Sequence, residues 1–135
     1  MKVAPFNLAA ILIICAVVVP SVAAAGSCTD RLIEERRSPT GEYVVSIFGR
    51  ICDGAPGFST TVTLTVHGRP VGTVLRVDIN PGKTPAPSGP GGGPRVDASW
   101  TDNSNLRLAY RTDVKVGRAT SFVQGVTIEH VRLWQ

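Results

Sequence analysis

The chain has 135 residues, 43% of them hydrophobic and 18% charged, with 14 basic against 10 acidic side chains. That length suits one domain with a modest core. The charge is spread along the chain: Arg36-Arg37 is the only adjacent basic pair, and no Lys/Arg stripe interleaves with aromatics, which argues against a nucleic-acid partner.

The N-terminus comes first. Lys2 precedes an apolar run from Leu8 to Val19, then Pro20, then the small residues Ser21 to Ser27. That order is the layout of a secretory signal peptide. A membrane-spanning helix needs about 20 apolar residues, and this run is shorter. Ala23-x-Ala25 places the cut before Gly26, so residues 1–25 are read as a signal peptide and residues 26–135 as a single β domain. Cleavage removes Lys2 and Cys15, leaving 13 basic against 10 acidic residues and two cysteines, Cys28 and Cys52. The mature protein is then exported, periplasmic or extracellular, where two thiols form one disulfide.

Thr29 to Arg37 reads as a strand that partners the segment after the Ser38-Pro39-Thr40-Gly41 turn. A three-residue loop with Gly41 in the left-handed region sets Ser38 opposite Glu42. Paired residue numbers then sum to 80, and Cys28 and Cys52 also sum to 80. The two cysteines are expected to face each other at about 4.5–5.5 Å between Cα atoms, within reach of a disulfide. Tyr43 to Ile51 is apolar on both faces and is expected to be a central strand covered on both sides.

Thr61 to Val66 alternates strictly, with Val62, Leu64 and Val66 on one face and a threonine stripe on the other. His67-Gly68-Arg69-Pro70 joins it to a strand carrying Leu75, Val77 and Ile79. Asn80 to Pro94 alternates prolines and glycines and is expected to be a mobile loop without a core, either a recognition loop or a tolerated insertion. Val96, Ala98 and Trp100 form the next inward face, with Trp100 in the core. Thr101 to Asn105 turns the chain into a strand with Leu106, Leu108 and Tyr110 inward. Val126 to Trp134 closes the pattern; Val126 and Ile128 fall on one face and Val131 and Leu133 on the other, which a bulge near His130 reconciles. Trp134 is either a core plug or an exposed contact. This period of two predicts an all-β fold, a small antiparallel meander, sandwich or partly closed barrel of about six to seven strands.

Chemistry is sparse. His67 and His130 lack the spacing of a zinc site, so no metal or other cofactor is expected. No G-x-S-x-G elbow occurs, and Ser59 and Ser121 read as ordinary β or loop serines. Glu34 and Glu35 point to opposite sides of a strand. Gly91-Gly92-Gly93 lacks the Lys-Ser/Thr of a phosphate loop. Thr61, Thr63 and Thr65 make a flat hydroxylated face of the kind that could hold ordered water or sugar, although threonine also favours exposed strand positions. Ala25-Gly26-Ser27-Cys28 loosely matches a bacterial lipobox, with Ala25 where leucine is usual. Lipidation of Cys28 would hold the chain at a membrane and exclude the disulfide.

Ser38-Pro39-Thr40-Gly41-Glu42-Tyr43, followed by Arg50-Ile51-Cys52 and Phe58-Ser59-Thr60-Thr61-Val62, resembles a family of short, uncharacterised bacterial exported proteins. That family's pattern is roughly S-P-D-G-x-Y and then R-x-C-G-A-T-T-x-F-S-T-x-V. Asp53-Gly54-Ala55-Pro56 departs from its G-A-T-T. The resemblance implies an exported small β domain and no reaction. The expected function is therefore a non-enzymatic binding or structural module of the cell envelope; its partner is not identified by the sequence, with an envelope protein as one candidate. The alternative is a small envelope hydrolase using Asp53, His67 or His130.

Overall fold

Alternating apolar residues need a second apolar surface to face, and here two sheets supply it to each other. A computed structural model describes residues 27–53, 57–84 and 90–133. The expected signal peptide, the Gly54-Ala55-Pro56 departure and Trp134 lie outside the described residues. Nine strands are found among those described: β1 (Cys28–Arg37), β2 (Tyr43–Cys52), β3 (Phe58–Val66), β4 (Arg69–Asp78), β5 (Val96–Trp100), β6 (Asn105–Arg111), β7 (Lys115–Ala119), β8 (Phe122–Val123) and β9 (Val126–Leu133). One sheet has the order β1-β2-β3-β4-β7 and the other β5-β6-β9-β8. Val45, Ile47, Val62, Leu64, Leu75 and Val77 of the first pack in one core with Val96, Ala98, Leu106, Leu108, Tyr110, Val126 and Ile128 of the second.

The fold is all-β, as the alternation predicts, but it exceeds the expected six to seven strands and is not wholly antiparallel. The short β7 and β8 were not expected. Strand β9 pairs with β6 in parallel. The reason is the β8–β9 hairpin, whose two-residue turn Gln124-Gly125 has φ of 50° and 81°. It reverses the chain once more than a simple meander does. The segment between β6 and β9 is long enough for the crossover that a parallel pair requires. His67-Gly68 makes the same kind of turn between β3 and β4, with φ of 49° and 74°.

The first hairpin departs from expectation in an instructive way. Ser38 faces Tyr43, not Glu42: its amide donates to the Tyr43 carbonyl at 2.8 Å and its hydroxyl accepts from the Tyr43 amide at 3.1 Å. The loop is four residues, Pro39 to Glu42, and pairs near it sum to 81. A bulge between Leu32 and Glu34 then absorbs one residue, at Ile33, and restores the sum of 80 from Leu32↔Phe48 to Cys28↔Cys52. Ile33 packs against the core from this bulge. The cysteines do face each other and are joined, with Cα atoms 4.0 Å apart.

Two further expectations are corrected. No bulge occurs at His130, because the β6–β9 register runs unbroken from Asn105↔Thr127 to Arg111↔Leu133. His130 and Arg132 simply continue the inward face of Val126 and Ile128, opposite Leu108 and Tyr110, while Val131 and Leu133 face outward. Among the described residues strand β2 is covered on its inner face, where Tyr43, Val45 and Ile47 are buried, and partly on its outer face, where Ser46 is buried but Val44 and Phe48 are half-buried.

The Gly/Pro-rich segment is not idle where it is described. Thr84 is buried, with its hydroxyl donating to the Asp113 carbonyl at 2.8 Å. Pro90–Gly92 forms a short 3-10 turn that lays Gly91 against Gly49. Gly93 and Pro94 are buried, and the Thr60 hydroxyl donates to the Pro94 carbonyl at 2.5 Å. This stretch plugs one end of the sandwich as the chain crosses from β4 to β5. A Cβ on Gly93 would meet the Ser59 carbonyl oxygen at 2.5 Å and the Thr60 hydroxyl at 2.6 Å. Gly93→Ala is expected to destabilise by about 1–3 kcal/mol. Gly117→Ala, whose nearest contact would be an ordinary 3.7 Å, is the matched control. Thermal midpoints of the two variants check this, and equal midpoints would refute the packed role.

Candidate functional site

The outer face of the five-stranded sheet is fixed by what the inner face buries. Thr61, Thr63 and Thr65 project outward because Val62 and Leu64 project inward, and all three threonines are half-buried. Thr73 pairs with Thr63 across the β3–β4 ladder, which widens the hydroxyl surface, while Ser46, opposite Thr63 across β2–β3, is buried and its hydroxyl donates to Glu35. At one part of this face three arginines from three strands gather. Arg50, Thr61, Thr73, Arg76 and Arg118 line a shallow concavity of about 340 Å³.

Each arginine is held differently. Arg50 donates to Asp30 twice, from Nε at 2.6 Å and Nη2 at 2.8 Å, the bidentate geometry that suits a guanidinium. Arg76 pairs more loosely with the buried Asp78, at 3.4 Å. Arg118 donates to the Thr73 carbonyl at 3.4 Å. No carboxylate among the described residues lies within ion-pair distance of Arg118. Gathered on one concavity, three guanidinium groups face two carboxylates, a local excess that the evenly spread charge of the sequence does not reveal.

The residues singled out from the sequence are not assembled with one another. Asp53 sits just past β2 and accepts from the Ser27 hydroxyl at 2.7 Å. His67 lies in the β3–β4 turn, with Nε2 at 2.8 Å from Glu42. From the Ile51↔Phe58 pair to the Tyr43↔Val66 pair the ladder runs eight residues, about 27 Å at strand spacing, so Asp53 and His67 occupy opposite ends of the hairpin. His130 has Nε2 at 2.8 Å from the Thr120 carbonyl and Nδ1 at 3.4 Å from the Tyr110 hydroxyl. Glu34 pairs with Arg36, and Glu35 accepts from the Ser46 hydroxyl at 3.3 Å. No cluster of three or more His, Cys, Asp or Glu suited to a metal occurs among the described residues.

The S-P-x-G-x-Y turn has a structural task. Thr40 donates to Asn103 Oδ1 from its amide at 3.1 Å and its hydroxyl at 2.5 Å, and Asn103 donates onward to Glu42 at 3.3 Å. Tyr43 stacks on Trp100 at 6.0 Å, and the Trp100 indole donates to the Arg36 carbonyl at 3.0 Å. These contacts tie the β1–β2 turn to the β5–β6 turn across the two sheets. A wider depression of about 660 Å³ lies beside them, lined by Val66, His67, Arg69, Pro70, Val71 and Gln124. Glu42 already holds its one titratable ring.

Compared with known protein families, curated proteins and solved structures, the chain finds no match.

The charge pairs set an acid limit. The hydrogen bond from Arg50 holds the Asp30 carboxyl below its ordinary value of 3.8, against a smaller opposing effect of burial. Asp113 is lowered by Arg111, and Asp102 by the Ser104 amide and the Asn105 side chain. A carboxyl whose value is lower folded than unfolded stabilises the fold above the unfolded value and ceases to do so as pH falls through the folded one. Asp30→Asn is expected to be less stable than the parent at pH near 6, with the gap closing as pH falls below about 3.8. Thermal midpoints of both chains across that range check it. A gap that persists unchanged at low pH would refute the pairing as its source.

Proposed function

We propose that this chain is an exported bacterial cell-envelope protein that works as a binding or structural module and not as a catalyst. One observation carries the compartment: Cys28 and Cys52 are bonded across directly opposed positions of β1 and β2. Such a bond persists in oxidising spaces and is rare in the reducing cytosol. It also uses the Cys28 sulfur that lipidation would need, which favours a free domain over a lipid-held one.

Support for binding comes from where side chains gather. Catalysis by a base and an acid needs them within about 3 Å of a common proton or one water away. Asp53, His67 and His130 each hold a different neighbour instead. The gathering that does occur, Arg50, Arg76 and Arg118 with threonines beneath, is an open polar surface suited to contact. A partner at the envelope would meet this sheet face.

The bond closes a loop with a sequence separation of 24, worth about 3.5 kcal/mol in the chain-entropy view. Replacing both cysteines by serine is expected to lower stability by about that amount. Intact mass of the chain isolated from its host under thiol-blocking conditions reads the compartment. The expected species starts near residue 26 and carries no blocked thiol. Two blocked thiols, or a lipid-sized increment on Cys28, would overturn the reading.

A further inference from the structure

We propose that the outer face of the five-stranded sheet binds an acidic polysaccharide, with one of its oxyanion groups seated between Arg76 and Arg118. This deepens the binding-module reading and rests on it. Arg76 and Arg118 are direct partners in the β4–β7 ladder. Directly opposed side chains have Cβ atoms about 4.5–5.5 Å apart, and like charges so placed repel. Asp78 offsets one of the two charges, through a contact of 3.4 Å. The other is left to a backbone carbonyl at 3.4 Å, which engages one of a guanidinium's five N–H donors. An oxyanion placed between them removes the repulsion and accepts from both, in the planar geometry guanidinium groups offer to sulfate, phosphate and carboxylate.

The rest of the concavity fits the same ligand. Arg50 is fixed on the opposite side by its two bonds to Asp30, which offset its charge, so it offers its remaining N–H donors without reorganising. Thr61 and Thr73 lie between the arginines. Thr63 and Thr65 continue the hydroxyl row along β3 beyond the charged end. Hydroxyls both donate and accept, which is what the hydroxyls of a sugar chain require of a surface. A lipid surface is disfavoured: the face carries Val44 and Phe48 half-buried and Leu32 as its exposed large apolar side chain, too little to insert among acyl chains. Nucleic acid would want exposed aromatic platforms for its bases, and Phe48 is half-buried.

The test uses the full exported chain on immobilised dextran sulfate, with uncharged dextran as reference and a salt gradient for elution. Arg118→Gln is the informative variant, because Arg118 holds no carboxylate and its loss strands no buried charge. Arg76→Gln would leave Asp78 buried without its partner and is not used. Arg107→Gln removes one charge from the exposed outer face of β6 and controls for net charge. The parent and Arg107→Gln are expected to bind alike, and Arg118→Gln about tenfold more weakly, the scale of one charge-assisted hydrogen bond. Arg107→Gln should leave the thermal midpoint unchanged, and Arg118→Gln, which relieves the repulsion with Arg76, should not lower it.

Parent chain that is not retained, or equal weakening by Arg118→Gln and Arg107→Gln, overturns the site. Tighter binding to phosphatidylglycerol vesicles or to single-stranded DNA than to dextran sulfate overturns the ligand class. Neither result bears on the disulfide-closed exported module, which fails instead on free thiols at Cys28 and Cys52.

Discussion

The apolar stripe between the two sheets decides where every other side chain goes. Val45, Ile47, Val62, Leu64, Leu75, Leu106, Leu108 and Val126 are essentially solvent-free. Each such side chain stabilises the fold by about 1.5–3 kcal/mol relative to exposure. A register slip of one residue in any of these strands would turn its whole stripe outward. That cost, repeated along each strand, is larger than anything the surface contributes. The outward positions are thereby fixed as a by-product: burying Val62 and Leu64 commits Thr61, Thr63 and Thr65 to the solvent face, and burying Leu75 and Val77 commits Arg76.

The edges are where the fold needs other means. Among the described residues strand β1 pairs only with β2, and an unpaired edge invites other chains. It answers with charges at Arg31, Glu34, Glu35, Arg36 and Arg37, with the bulge at Ile33, and with the disulfide at its start. The Trp100 indole reaches across to the Arg36 carbonyl and covers part of the same edge from the other sheet. On the four-stranded sheet, β8 is only two residues long, too short to template a partner.

Local order was legible in the sequence and long-range order was not. The alternating runs of β3, β5 and β6 fall where the period of two puts them, because each is decided by its own residues. The cysteine pairing also follows from the sequence, yet by two compensating departures. The loop is one residue longer than a G1-bulge turn, and the bulge at Ile33 takes that residue back. Nothing local marks either. Strand β7 escapes notice because Lys115–Ala119 is exposed at every position but Val116 and carries Gly117 and Arg118. Its place is set by the β4 edge it completes. The parallel β6–β9 pair escapes for the same reason, since strand order depends on crossings that no single segment encodes. The concavity inherits this split. Arg76 is an outward residue of a clean alternation and Arg50 of a central strand. Arg118 joins them only through the β4–β7 ladder, so a charge that reads as scattered becomes clustered on folding.

Glycine content misleads in the opposite direction. A run of Gly91-Gly92-Gly93 between prolines has the composition of a linker, and composition argues that no core can form from it. The fold uses the missing side chains instead of wasting them. Where β2 ends and β3 begins, the space beneath Phe58, Ser59 and Thr60 admits a backbone but no Cβ at Gly92 or Gly93. Gly49 and Gly91 approach so closely that a Cβ on either would come within 3.1–3.2 Å of the other's Cα. The crossing chain therefore closes the sandwich with main chain and Pro94 in place of a layer of apolar side chains. Low complexity is the signature of disorder only when nothing stands close by. Against a sheet end with no room for side chains, it is the composition that packs.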